Sequence, residues 1–339
     1  ICTDMDEPGE RAAQEMAKRL GLARCYRLPV PGGLKDANQI LTEDHGNETF
    51  FEFGVWLTAA FSYDPPTLRG VSSFRQDVKA RLRREKREDE ANTFVFPDIP
   101  FQLRDGECTL LTGYTGHGKS EGAYQILTHE MASGNKTAIA SYEIDASEMI
   151  CNIGTQLLAH KPTEDEADKV IDWLDGKLWF ITPKDDDTKA HTSAEIFADF
   201  EYAAQRFGCT RFLVDSLMFI CKKDDYEGQD LLAKKCRDFG RKDGRSHVIL
   251  IAHAAIKKGE EKVPTMSDVM GSAGILAPFN NILVWWRNVA KEEAVEKALA
   301  DKDEDKLKKL DAEMDALLYC PKQRRTGKRF KRKLWFDTT

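Results

Sequence analysis

Gly113-Tyr-Thr-Gly-His-Gly-Lys-Ser120 fits G-x-x-x-x-G-K-[ST] at every position, the pattern of a loop that cradles phosphate. Gly113, Gly116 and Gly118 let the backbone turn tightly around Thr115 and aim several N–H groups at one anion. Lys119 supplies a positive charge for β- and γ-phosphates, and Ser120 a hydroxyl for Mg²⁺. An apolar strand is predicted over 107–112 and a helix over 119–131, so the anion would sit at a helix N-terminus. The ligands implied are ATP, or another nucleoside triphosphate, and Mg²⁺.

Three further residues extend the chemistry. The apolar run Arg211-Phe-Leu-Val-Asp215 delivers Asp215 to a strand end, where a carboxylate can hold Mg²⁺ through water. The next residue is Ser216 rather than glutamate, so a carboxylate that orients an attacking water must come from elsewhere. Glu143, ending the strand after the phosphate-loop helix, is one candidate. Asp145 is the other, and a helix-capping role is the alternative for such a carboxylate. His253 ends the run His247-Val-Ile-Leu-Ile-Ala252. A polar side chain there can sense the γ-phosphate, or it can be a structural histidine.

These residues need a scaffold that brings several strand ends together. From Phe96 onward apolar strands alternate with helices: strands at 107–112, 136–142, 178–182, 210–215, 247–252 and 281–286, helices at 119–131, 146–160, 164–175, 193–207 and 228–243. This alternation predicts an α/β fold with a mostly parallel sheet covered on both faces, ligands binding at the carboxyl ends of its strands. The charged stretch 288–316 reads as a helical surface insertion before a strand at 317–323. A basic β-hairpin follows, with eight Lys and Arg side chains between Lys322 and Lys333. Before Phe96, a strand end at Ile1-Cys-Thr3, a helix over 11–20, a strand over 25–30 and a helix over 49–65 are expected. The segment 72–91 reads as a solvated linker helix or one that docks on a neighbouring subunit.

The 339 residues carry a net charge of −7, with 41% hydrophobic and 32% charged residues. That balance argues against a uniformly basic nucleic-acid coat while allowing a local basic patch. No apolar run approaches the ~20 residues of a membrane span. Eight cysteines form no C-x-x-C pair, which suits reduced thiols in an intracellular compartment. The chain opens on Ile1 inside an expected strand and reads as part of a longer polypeptide.

The set Gly113–Ser120, Tyr142-Glu143, Asp215, His253 and Lys322-Gln323-Arg324 resembles the hexameric replicative helicases of the DnaB/Twinkle type, phage primase-helicases among them. The resemblance covers about 99–339 and implies a RecA-like ATPase domain, a ring of subunits with ATP between neighbours, and 5′→3′ movement on single-stranded DNA. It implies that Arg324 is an arginine finger acting in trans and Lys322 a second γ-phosphate contact, with Arg325 adjacent. Matching DNA-facing segments are Lys222–Gln229, Ala254–Pro264 with Lys257 and Lys258, and Asp268–Leu276 with Gly271 and Ser272. Met270 departs from the basic residue that phage relatives often carry. A polymerase or primase partner is implied, in a phage or bacterial host cytoplasm or a mitochondrial matrix.

Asp4-Met-Asp6-Glu-Pro-Gly9 looks like the D-x-D-x-x-G motif of Toprim domains, and Lys35-Asp-Ala-Asn38 resembles a segment that follows it in phage primase-helicases. Two such carboxylates suit Mg²⁺; the alternative is an acidic turn capping the next helix. The expected organisation is the C-terminal part of a Toprim domain at 1–48, a helical linker at 49–98 and the RecA-like domain at 99–339. The family's other metal-binding glutamate would then precede Ile1, and priming does not follow. Competing functions are a RecA-like recombinase or regulatory ATPase without unwinding, and a DNA-binding scaffold with a degenerate site.

Overall fold

The computed structural model describes residues 1–30, 34–42, 56–64, 68, 70–90, 94–182, 192–255, 262–269 and 274–336. The chain divides into two units, Ile1–Arg87 and Glu88–Thr339. In the first, helix α1 (Glu7–Leu20) starts where the Asp6 side chain accepts from the Gly9 N–H, earlier than the expected 11–20. That cap, Pro8 and the acidic first turn fix its N-terminus. Strand β1 (Tyr26–Arg27) pairs antiparallel with β2 (Phe61–Ser62).

Three expectations change in this unit. Ile1–Thr3 is extended and bonds to Tyr26 and Leu28 but forms no strand. The strand over 25–30 shrinks to two residues, and the helix over 49–65 gives way to β2 at its C-terminal end. The reason lies in Arg27, which is fully buried. Its guanidinium bonds to Glu10 and to the carbonyl oxygens of Ile1, Thr3, Asp4 and Leu28, so these carbonyls serve the cation rather than a ladder. Two further helices follow, α2 (Ala37–Thr42) and α3 (Arg75–Glu90).

The second unit is built on an eight-stranded sheet. Its strands are β3 (Cys108–Gly113), β4 (Thr137–Ser141), β5 (Leu178–Ile181), β6 (Arg211–Asp215), β7 (His247–His253), β8 (Asn281–Arg287), β9 (Ala316–Gln323) and β10 (Phe330–Leu334). The order is β10-β9-β8-β3-β7-β6-β4-β5, with β8 through β5 parallel and β9 and β10 antiparallel additions. Every residue of β3, β4 and β6 is buried, as a parallel sheet covered on both faces requires.

Helices α4 (Lys119–Ala132), α5 (Ala146–Leu158) and α6 (Glu164–Leu174) cover one face, where Tyr124, Leu127, Met149 and Ile153 pack with Ile139, Leu213 and Ile251. On the other face α7 (Ser193–Phe207), the short α8 (Leu217–Ile220) and α9 (Tyr226–Asp243) set Phe200, Leu232 and Phe239 against Phe212, Val214 and Leu250. Caps set their starts: Asp145 for α5, a Thr163/Glu166 box for α6, a Thr192/Glu195 box for α7 and Asp225 for α9. The 288–316 stretch forms α10 (Val289–Ala300) and α11 (Glu304–Asp311). All eight cysteines are free thiols, six of them buried. Among the described residues no helix is long and apolar enough to cross a membrane.

Trp285 of β8 supports the site from below. A Cβ at Gly113 would collide with its carbonyl oxygen, and one at Gly122, on the first turns of α4, would lie 2.6 Å from its indole ring. Both glycines are therefore close-approach positions that let α4 lie on the indole. Gly122→Val is expected to destabilise the chain by about 1–3 kcal/mol through overpacking. Urea unfolding checks this, and an unchanged midpoint contradicts it.

Candidate nucleoside-triphosphate site

The parallel strand ends converge as the sequence predicts. Gly113 ends β3 beside His253 of β7, and Asp215 ends β6 beside Ser141 of β4. Gly116 and Gly118 both have φ of 78°, the left-handed conformation in which a side chain is strained. Gly118 is the N-cap of α4 and offers no side-chain cap, so the first-turn N–H groups are left to an anion.

Two buried charges define the site. Lys119 is 5% exposed, and its ammonium donates to the Tyr114 carbonyl at 2.9 Å. Burial lowers its pKa to about 8, with Asp215 and Glu143 opposing the shift. Asp215 is fully buried, and neither carboxylate oxygen has a hydrogen-bond partner among the described residues. Burial raises its pKa to about 6; the nearby Ser120 hydroxyl and Lys119 oppose the rise and Glu143 adds to it. An orphaned buried carboxylate next to a serine hydroxyl and a phosphate loop fits Mg²⁺ held by few protein oxygens together with phosphate.

The two carboxylates competing for the water-activating position differ. Asp145 is engaged as the α5 cap, accepting from Glu148 N at 2.9 Å and Ser147 Oγ at 2.6 Å, and the Ser147 bond leads the lowering of its pKa. Glu143 is exposed on the bend after β4, and no cap bond occupies it. His253 sits between loop and metal strand, with Nδ1 3.3 Å from Thr115 Oγ1 and Nε2 3.5 Å from Ser216 Oγ. Burial and then Lys119 lower its pKa to about 4, so the ring is neutral at pH 7 and has one donor and one acceptor.

Lys322 and Arg324 lie at the other edge. Gln323 pairs with Asn281, which pairs with Thr109, and Arg324 N donates to Asn280 O, itself bonded to Cys108. From the Cys108 row to Gly113 is roughly 17 Å along the strand. Lys322 Nζ donates to Leu276 O at 2.7 Å and Arg324 Nη2 to Ala277 O at 2.8 Å. These neutral carbonyls orient two cations without cancelling their charge. Burial and then Arg324 lower the Lys322 pKa. Gln323 is buried and anchors this strand end through the Pro100 carbonyl.

Of the expected DNA-facing residues, Lys257, Lys258, Met270, Gly271 and Ser272 lie outside the described residues. In the Lys222–Gln229 segment, Gln229 Nε2 donates to the Lys222 and Lys223 carbonyls and leaves both lysines exposed. In the N-terminal unit, Asp6 caps α1, and the Lys35 ammonium lies 3.7 Å from Asp4 and 3.8 Å from Asp6. Among the described residues no third His, Cys, Asp or Glu joins them in a metal-binding group. This ammonium-countered pair does not by itself fit a divalent ion.

Sequence reasoning missed three contributors. Trp285 carries no motif, and its contact with Gly122 is visible only in three dimensions. His117 of the loop accepts from Arg287 N at 3.0 Å, and the Arg287 guanidinium lies 5.8 Å from the centre of the Phe336 ring. This pair offers a flat, cationic face beside the loop.

The Asp215 shift has a stability consequence. Its folded pKa exceeds the unfolded value of 3.8, so its contribution is full below that value and is lost as pH rises through about 6. Two pKa units amount to about 3 kcal/mol. Asp215→Asn is therefore expected to stabilise the ligand-free chain by about 1–3 kcal/mol at pH 7, with the gain vanishing near pH 4. Unfolding free energies of both chains across this range check it; parallel profiles contradict it.

The chain matches no family model. It is 29% identical over 154 residues to the Twinkle homolog protein, chloroplastic/mitochondrial, of Arabidopsis thaliana. The match takes in 42% of this chain and spans 21% of that relative's length. Among solved structures, the separately solved ATPase domain of a helicase superposes with a TM-score of 0.55 at 12% identity, covering 77% of this chain and 98% of that one. A DnaB-like replicative helicase solved for its interactions with primase gives 0.52 at 13% identity, covering 70% and 58%. At these identities the structural likeness is one of fold, that of the RecA-like helicase ATPase domains. In sequence over its matched stretch and in the fold of its larger unit, the chain resembles the replicative helicases of the DnaB/Twinkle type.

Proposed function

We propose that this chain is the ATP-hydrolysing motor region of a ring-forming replicative DNA helicase, moving 5′→3′ on single-stranded DNA with a polymerase or primase partner. The observation that carries the reading is the division of one catalytic set between two edges of a sheet. Lys119, Ser120, Asp215, Glu143 and His253 share the carboxyl edge, while Lys322 and Arg324 lie at the opposite one. A head-to-tail ring brings one subunit's far edge to the next subunit's phosphate loop.

In this reading Ser120 and Asp215 hold Mg²⁺, which neutralises charge between the phosphates. Lys119 meets the β- and γ-oxygens, and Glu143 takes the proton of the attacking water. A neighbour's Arg324 and Lys322 stabilise the charge spreading over the transferred group. His253 exchanges its Thr115 and Ser216 contacts as the γ-position fills and empties. Residues 222–229, 254–264 and 268–276 hold the DNA backbone through lysines and amides, a contact that needs no base readout. Residues 1–48 are read as the C-terminal part of a Toprim domain, 49–98 as linker and 99–339 as motor. The N-terminal unit is given no catalytic step.

Lys119→Ala and Arg324→Ala are each expected to lose ATP turnover by about 10³-fold or more. Mixed in equal amounts they are expected to regain turnover, because each supplies the half-site the other lacks. Failure of the mixture to recover contradicts a finger in trans. Glu143→Gln is expected to keep ATP affinity within about twofold while losing hydrolysis. Equilibrium binding and single-turnover assays separate the two, and retained hydrolysis contradicts the assignment. Unwinding of a forked duplex tests the function as a whole; stimulated ATPase without unwinding of either fork polarity favours the non-unwinding ATPase.

A further inference from the structure

Tyr114 occupies a position that the phosphate-loop pattern leaves unspecified. Its backbone carbonyl accepts from Lys119 Nζ at 2.9 Å, and its hydroxyl donates to the Lys262 carbonyl at 2.9 Å. The ring is 4% exposed, packed with Ala254, Trp286 and Leu317 and edge-on to His117 with centroids 5.2 Å apart. One residue thus touches the phosphate-binding lysine and the segment that follows β7. That segment is rooted on the loop by its backbone too. Ala254 N donates to Gly113 O at 2.9 Å, Ala255 N to Asp268 O at 2.7 Å, and Ala254 bridges to Val269.

We propose that Tyr114 is a positioning residue that couples the nucleotide site to the 254–269 segment within the same chain. The inference rests on the reading of that segment as DNA-facing. A lysine that holds a neutral carbonyl in the ligand-free state makes stronger, charge-assisted bonds to an anion in the loop, so the Lys119–Tyr114 contact depends on occupancy. The Tyr114 ring is wedged in a close-packed cluster, which carries a backbone shift to the hydroxyl instead of absorbing it. The hydroxyl then changes how tightly Lys262 is held. By linkage, DNA on the segment changes the hold of the loop on its anion by the same factor.

The test uses the full chain and reads binding rather than turnover. Tyr114→Phe keeps the ring and its packing and removes only the hydroxyl; thermal melting confirms that it folds. Affinity for a fluorescent oligothymidylate is measured by anisotropy with and without a non-hydrolysable ATP analogue and Mg²⁺. Analogue affinity is measured with and without the oligonucleotide. The two ratios must agree, and we expect about a fivefold loss of coupling in Tyr114→Phe, the factor carried by one ordinary hydrogen bond. Hydrogen exchange over 262–269 is expected to speed up in the variant. Equal coupling in both chains overturns the relay, as does a wild-type ratio of one. A chain that binds the analogue but no oligonucleotide overturns the DNA reading, and the relay with it.

Discussion

The direction and register of β3, β8 and β9 govern the functional reading of this chain. Parallel strands β3, β4, β6 and β7 all end at one edge, which gathers the phosphate loop, Asp215 and His253. Antiparallel β9 runs back and ends at the other edge, carrying Lys322 and Arg324 with it. No side-chain rotation closes a gap of roughly 17 Å along the strands. If both groups act on one phosphate, they come from different subunits.

The site is costly in the ligand-free state. Asp215 is buried with both oxygens unpartnered, and Lys119 is held by a single neutral carbonyl. Burial pushes the two pKa values toward each other, to about 6 and about 8. Such uncompensated charge is characteristic of sites that bind ions and anions, where ligand supplies the missing partners. The scaffold bears the strain through Trp285, whose indole and carbonyl lie where Gly122 and Gly113 admit no Cβ. At the far edge the logic is reversed: Lys322 and Arg324 rest on carbonyl oxygens and keep their charge for an anion outside their own chain.

Much of the larger unit was legible in the sequence, because its strands are uniformly apolar and its helices open on Asp and Thr caps. Expected strands and helices from 107 to 286 correspond to observed ones within a residue or two. The N-terminal unit was less legible, since its pairing is only two residues long and a buried Arg27 consumes the carbonyls that a longer ladder would use. At the site, Asp145-Ala-Ser-Glu148 already has the form of a helix start, which explains why Glu143 is the carboxylate left over. Trp285 and Tyr114 were not legible, because their roles depend on contacts between distant segments.

The most direct measurement is a cryo-electron microscopy structure of the assembled chain with a non-hydrolysable ATP analogue, Mg²⁺ and oligothymidylate. The account predicts that the analogue lies on Lys119, Ser120 and Asp215 of one subunit with its γ-phosphate on Arg324 of the next. A γ-phosphate contacted only by residues of the subunit that binds the loop end, with Arg324 still on the Ala277 carbonyl, would contradict it.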